Sequence, residues 1–135
     1  MRNYEVLAHT ADIGISTRAD SLEALIGNAV FANRHMYDLD ERSPSITVRL
    51  EIAMAPPADL LVSVLAELLY RGEADELAFS TVAIDPAGNG VIVEATGIPV
   101  ELLDLDGTPI KAVTYHDLVC EDSDDGWYAR LFFDA

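Results

Sequence analysis

Hydrophobic residues recur with two different periods along this chain, and the change between them limits the folds that it can adopt. Two segments before residue 77 carry apolar residues at helical spacing, and strand-like alternation follows. A parallel α/β fold needs a crossover helix between strands, and the C-terminal half has no pattern for one. The sequence therefore predicts an α+β fold, with two helices packed on a mostly antiparallel or mixed sheet of about six strands.

The two helical segments have recognisable ends. The first is predicted to begin at Asp20, where Glu23 completes a capping-box pattern. The second is predicted to begin at Asp59, a favourable N-cap residue, and to end at Gly72. Its broad apolar stripe consists of Leu60, Leu61, Val64, Leu65, Leu68 and Leu69. We expect this second helix to be the main element of the core.

Alternating residues predict the strands. The N-terminal segment reads as two strands around His9 to Asp12, and a third strand covers residues 46–52. Two hairpins follow, pairing residues 77–84 with 91–96 and residues 111–120 with 127–133. The Gly- and Pro-containing stretch 97–109 is predicted to be a connection between them.

Length and charge restrict the function. The chain has 135 residues, 50% of them hydrophobic, and a net charge of −16 from 24 acidic and 8 basic residues. This length favours one domain over residues 1–135, and the hydrophobic content disfavours disorder. Because nucleic-acid binding needs clustered basic residues, strong direct binding of RNA or DNA is not expected.

Cysteine usage and hydropathy bear on the compartment. The single cysteine, Cys120, excludes an intramolecular disulfide and a cysteine-rich zinc site. No apolar run approaches the roughly 20 residues of a membrane helix, and the N-terminus lacks a secretory signal pattern. We therefore expect a cytoplasmic protein with no membrane partner.

Two polar runs near the chain ends stand out, and the second of them is a candidate for a metal site. One is His9-Thr10-Ala11-Asp12-Ile13-Gly14, and the other is Phe132-Phe133-Asp134-Ala135. Asp134 beside the α-carboxylate of Ala135 gathers two anionic groups, which a hard divalent cation would compensate. Two simpler interpretations remain open, namely that Asp12 bonds local backbone in a turn and that the last strand ends in solvent.

A third polar run covers residues 110–117 and contains Lys111 and His116. In a continuous strand these two residues lie on opposite faces, and only a bulge would bring them to one face. A lone histidine such as His116 is weak evidence for a site. Cys120 lies beside acidic residues, which disfavour its thiolate, so nucleophilic catalysis finds little support.

Together these runs resemble the archease family. The resemblance is carried by HTADIG near the N-terminus, by KAVTYHDL, and by the final WYARLFFDA, while DLLVSVLAELLY is similar to the family's second helix. It covers nearly the whole chain. It implies that the protein is not itself an enzyme but activates an RtcB-type RNA ligase, promoting GTP-dependent guanylylation and multiple turnover in tRNA splicing or RNA repair.

The resemblance also implies a metal site formed by Asp12, Asp134 and Ala135. Ligation by oxygen alone favours Ca²⁺, with Mg²⁺ or Mn²⁺ as alternatives, and an added His9 would widen the choice. Lys111 matches a lysine of the family but receives no metal role, because an ammonium group cannot be a ligand.

Two other functions are kept open. A metal-dependent phosphoester hydrolase would use Asp12, His9 and Asp134 to activate water. A general chaperone or modulator of RNA-modifying proteins would act mainly through the acidic surface.

Overall fold

The computed structural model describes residues 4–7, 12–32, 45–102 and 112–134. Within these ranges the chain forms two α-helices, eight strands and one 3₁₀ turn. The helices are α1 (Leu22–Ala32) and α2 (Pro57–Asp75), and the 3₁₀ turn is Val100–Leu102. The strands are β1 (Tyr4–Leu7), β2 (Asp12–Ala19), β3 (Ile46–Ala53), β4 (Leu77–Ala87), β5 (Gly90–Pro99), β6 (Ala112–Val113), β7 (Val119–Ser123) and β8 (Gly126–Asp134).

The predicted α+β class is confirmed, and the strands divide into two antiparallel sheets. The larger sheet has the order β1-β2-β8-β6, with β7 also paired to β8, and the smaller has the order β3-β5-β4. Helix α1 contacts β2 of the larger sheet and β4 of the smaller one, and α2 contacts β4, β6 and β7. Each helix therefore buries apolar surface against both sheets.

The apolar stripe predicted for the second helix forms a large part of the core. Leu61, Val64 and Leu65 of α2 are fully buried, while Leu69 is half-buried. From the larger sheet, Leu131 and Phe133 of β8 are also fully buried and belong to the same cluster. Helix α2 and strand β8 are therefore packed into one core, which stabilises the position of the larger sheet.

The predicted N-cap of the first helix is wrong by one residue. Helix α1 begins at Leu22, and the backbone N–H of Ala24 donates to Oγ of Ser21 at 3.1 Å. Ser21 therefore caps the helix, in place of the predicted pair Asp20 and Glu23. Serine and aspartate are about equally good N-caps, so adjacent candidates cannot be separated by residue type alone.

Both predicted ends of the second helix are also wrong. Helix α2 begins at Pro57, which needs no N–H partner at the first helical position, and Asp59 lies in the first turn without capping it. At the other end the helix continues past Gly72 to Asp75. Glu76, with a left-handed φ of 55°, donates its N–H to the carbonyl of Gly72 and ends the helix.

Replacing Gly27 with alanine is expected to stabilise the fold. Gly27 lies inside α1, and an added Cβ would sit at an ordinary contact distance of 3.8 Å from Cγ1 of Val82. Because glycine is a poor helix former, Gly27→Ala should raise the free energy of unfolding by about 0.5–1 kcal/mol in a urea titration.

The matched control is Gly126→Ala. Gly126 has a φ of 102°, and an added Cβ would come within 2.7 Å of the carbonyl oxygen of Ala19. This variant should lose more than about 1 kcal/mol. A loss of stability in Gly27→Ala would contradict the packing of α1 against β4.

Candidate functional site

Strand β8 brings together two of the polar runs singled out in the sequence. It pairs with β2 along one edge and with β6 and β7 along the other. In this register Asp134 lies opposite Asp12 of β2 and opposite Ala112 of β6. The three residues form one row across the larger sheet, so residues that are far apart in the sequence meet at one position.

The register places Asp12 and Asp134 on the same face of the sheet. Directly opposed residues of an antiparallel pair share a face, and their Cα atoms are about 4.5–5.5 Å apart. The buried neighbours Leu131 and Phe133 alternate with Asp134, so this face lies opposite the core, and Asp134 is exposed. The first and last polar runs are therefore adjacent in the fold.

The donor chemistry of this pair fits a hard divalent cation. Two aspartates opposed in register carry like charges, which destabilise a strand pair unless a counter-charge lies nearby. Carboxylate oxygens are the ligands preferred by Ca²⁺, Mg²⁺ and Mn²⁺. Both residues of this pair are thus of the type whose donor atoms such a cation prefers.

Three other sequence candidates, His9, Lys111 and Ala135, lie outside the described residues. Ala135 directly follows Asp134 in the sequence, and Lys111 directly precedes Ala112. In the described part of the chain, no group of three or more His, Cys, Asp and Glu residues is arranged to hold a metal ion.

The predicted continuous strand 111–120 is wrong, because residues 114–118 leave the sheet between β6 and β7. We call this segment the 114–118 loop. The backbone N–H and the hydroxyl of Thr114 both donate to the carbonyl of Phe132, each at 3.0 Å. Asp117 has a left-handed φ of 50°, which breaks the ladder, and its carbonyl accepts a hydrogen bond from Nε of Arg130 at 3.3 Å. Strict alternation of faces therefore ends at Val113.

The loop places His116 beside the strand that carries Asp134. Its ring is tilted against that of Phe132, with centroids 5.9 Å apart, and Phe132 precedes Asp134 by two residues. Nε2 of His116 lies 3.2 Å from Oδ2 of Asp117, and both side chains are exposed. His116 is therefore a surface residue near the aspartate pair and not a core histidine.

A contact between the loop and α2 was not predicted from the sequence. The hydroxyl of Tyr115 donates to Oδ1 of Asp59 at 2.9 Å. This hydrogen bond is the main cause that raises the pKa of Tyr115 above its usual value, with smaller contributions from desolvation and from the charge of Asp59. The partners are separated by 56 residues, so no local sequence signal could have identified the pair.

Cys120 is not suited to be a nucleophile. Its side chain is half-buried, and burial raises the pKa of the thiol. A thiol with a raised pKa is mostly protonated at neutral pH, and the thiolate is the reactive form. The raised pKa of the Cys120 thiol has the expected direction, but its cause is burial and not the acidic neighbours.

Known proteins resemble this chain over nearly its whole length. The model of the Archease protein family (MTH1598/TM1083) matches residues 4–135. The chain belongs to the archease family. Among its relatives, the protein archease of Methanosarcina barkeri is 35% identical over 98% of this chain and 96% of its own length. That of Thermococcus gammatolerans is 32% identical, over 97% of each chain.

Two solved structures share this archease fold. The solution structure of protein 1598 of Methanobacterium thermoautotrophicum superposes with a TM-score of 0.74 at 27% identity and covers both chains completely. A Thermotoga maritima protein described as "an archease, possible chaperone" has a TM-score of 0.68 at 24% identity, and it covers all of this chain and 98% of its own. None of these descriptions names an enzymatic activity.

In the part of this archease-family chain that the structure describes, no helix is both long enough and apolar enough to cross a membrane.

The hydrogen bond between Tyr115 and Asp59 can be tested by titration. Asp59→Asn should lower the pKa of Tyr115, because the charged acceptor that favours the neutral phenol is lost. The pKa of Tyr115 is obtained by following the ultraviolet absorbance of tyrosinate as the pH is raised. The same titration with Tyr115→Phe is subtracted to remove the signal of the other tyrosines. Because the folded-state pKa is raised, the stability that this bond contributes is present below about pH 10 and is lost as the pH rises through the folded-state pKa.

Asp75→Asn is the control, since Asp75 lies at the opposite end of α2 and bonds to Arg71. It should leave the pKa of Tyr115 unchanged. Equal pKa values in Asp59→Asn and in the unmodified protein would show that the loop does not contact α2 in solution.

Proposed function

We propose that this chain is a metal-binding accessory protein that activates an RtcB-type RNA ligase, by promoting the ligase's GTP-dependent guanylylation and multiple turnover in tRNA splicing or RNA repair. The observation that carries the proposal is the register pair of Asp12 and Asp134. These residues belong to two of the three motifs that carry the family resemblance. Membership of the archease family over residues 4–135 supports the transfer of function.

In this proposal Asp12, Asp134 and Ala135 hold one divalent cation, Ca²⁺ by preference and Mg²⁺ or Mn²⁺ otherwise. Support comes from the ladder pairing, which sets the backbone positions of Asp12 and Asp134 directly opposite each other. A cation held by these residues would supply positive charge for phosphate oxygens of the nucleotide in the ligase.

The 114–118 loop supplies contact groups next to this pair. It is fixed to β8 through Thr114 and to α2 through the bond between Tyr115 and Asp59. Tyr115 is nonetheless 60% exposed, so most of its ring can contact a partner. Exposed aromatic residues on a fixed backbone are typical anchors of protein interfaces.

The net charge of −16 bears on which protein of the proposed complex holds the RNA. The chain repels polyphosphate at long range, and so RNA is held by the ligase and not by this protein. The same charge favours approach to a basic, RNA-binding partner, with association rates that fall as salt is added.

A general chaperone is the second candidate. It is supported by the description of the related Thermotoga maritima protein as a possible chaperone. A chaperone would protect many different proteins, whereas the proposed activator acts on one ligase. The number of different proteins that respond to this chain therefore distinguishes the two functions.

The test replaces each aspartate by its uncharged isostere. Asp12→Asn and Asp134→Asn should each reduce stimulation of ligase guanylylation by about tenfold or more, because cation affinity depends on the number of charged ligands. The assay uses the cognate ligase, GTP and Ca²⁺ or Mg²⁺, with and without each variant. Circular dichroism should show that both variants remain folded.

Asp85→Asn and Asp122→Asn are the matched controls, since both positions are exposed aspartates on other strands. They should stimulate the ligase as the unmodified protein does. Full stimulation by both site variants would refute the proposal. Hydrolysis of phosphoesters by the metal-loaded chain alone would favour the hydrolase, and equal protection of unrelated proteins would favour the chaperone.

A further inference from the structure

Strand β3 forms one edge of the smaller sheet. It pairs with β5 over residues 46–53, and in the described part of the chain its other edge has no strand partner. A free edge presents a row of backbone N–H and C=O groups that can pair with a further strand. The edge spans eight residues, Ile46–Ala53, which is longer than the usual strand of about five or six.

Residues 46–52 of β3 alternate between apolar and polar. The face toward the helices carries Ile46, Val48, Leu50, Ile52 and then Met54, and the opposite face carries Thr47, Arg49, Glu51 and Ala53. The middle of the apolar row is buried, but its two ends are not. Ile46 is 49% exposed and Met54 is 55% exposed, and both are among the large hydrophobic side chains that the described chain leaves in solvent.

We propose that this edge pairs antiparallel with β3 of a second copy of the chain, around a two-fold axis at Leu50. In that register Ile46 lies opposite the partner subunit's Met54, and Val48 lies opposite the partner subunit's Ile52. The exposed ends of the two apolar rows cover each other, and every inward-facing pair is apolar. The two smaller sheets become one continuous six-stranded sheet.

Charge selects this register over its neighbours. With the axis at Leu50, Arg49 faces the partner subunit's Glu51, and the symmetric pair repeats the contact. Moving the axis by one residue places two arginines at position 49, or two glutamates at position 51, directly opposite each other, and like charges destabilise such pairs. If the two-fold axis instead lay between two residues, apolar side chains of one copy would lie opposite polar side chains of the other.

The net charge of −16 per chain opposes the association of two copies. Added salt screens the long-range part of this repulsion. The pairs of Arg49 and Glu51 are in direct contact and are screened less. We therefore expect a dimer that strengthens as salt rises from low to moderate concentration.

Sedimentation equilibrium of charge-reversed variants tests the register. At about 0.3 M salt, where the Debye length is below about 8 Å, the unmodified chain should dimerise with rising concentration. R49E and E51R should each weaken dimerisation by about tenfold or more, because each homodimer then carries two like-charge pairs. R49E/E51R restores opposite charges and should restore the dimer.

An equimolar mixture of R49E and E51R gives the sharpest result. It should form a heterodimer, since two acidic positions of one chain then face two basic positions of the other. R71E and E67R make the same charge changes on α2 and should dimerise as the unmodified chain does. The proposal is overturned if the unmodified chain stays monomeric into the millimolar range, if both single reversals dimerise normally, or if neither the double variant nor the mixture recovers.

Discussion

The ladder between β2 and β8 connects residues 12–19 with residues 127–134 and holds the larger sheet together. Its register is fixed by packing, because Ile15, Leu131 and Phe133 must all face the core, where each is at most 1% exposed. A slip of one residue would move these side chains to the solvent face. The juxtaposition of Asp12 and Asp134 is thus a consequence of hydrophobic burial, which stabilises a like-charge arrangement that the two aspartates would not adopt by themselves.

Sequence periodicity was sufficient for the fold class and for the apolar stripe of α2, because burial alternates with the geometry of each element. It could not assign strands to two sheets, since pairing depends on contacts between distant segments. The helix ends were mispredicted where two good signals compete, as Asp59 and Pro57 do. The 114–118 loop was missed because its anchors, the carbonyl of Phe132 and the carboxylate of Asp59, are remote in the sequence.

The two sheets carry different surfaces. The larger sheet presents the aspartate pair and the 114–118 loop, and the proposed ligase activation depends on it. The smaller sheet presents β3, which has no strand partner on its second edge among the described residues, and the proposed dimer pairs Arg49 with Glu51 of a second copy. The two proposals therefore concern different sheets and can be tested by separate substitutions. The strong negative charge bears on both, since it disfavours direct contact with RNA and makes charged protein contacts dependent on salt.

The proposed function depends most on one cation that bridges Asp12 and Asp134. A high-resolution crystal structure of the protein with Ca²⁺ measures this directly. We predict a density peak at about 2.3–2.6 Å from carboxylate oxygens of both residues, which is the usual range for calcium ligands. Continuous density for both side chains with no peak between them, or a peak that contacts only one of the two carboxylates, would contradict it.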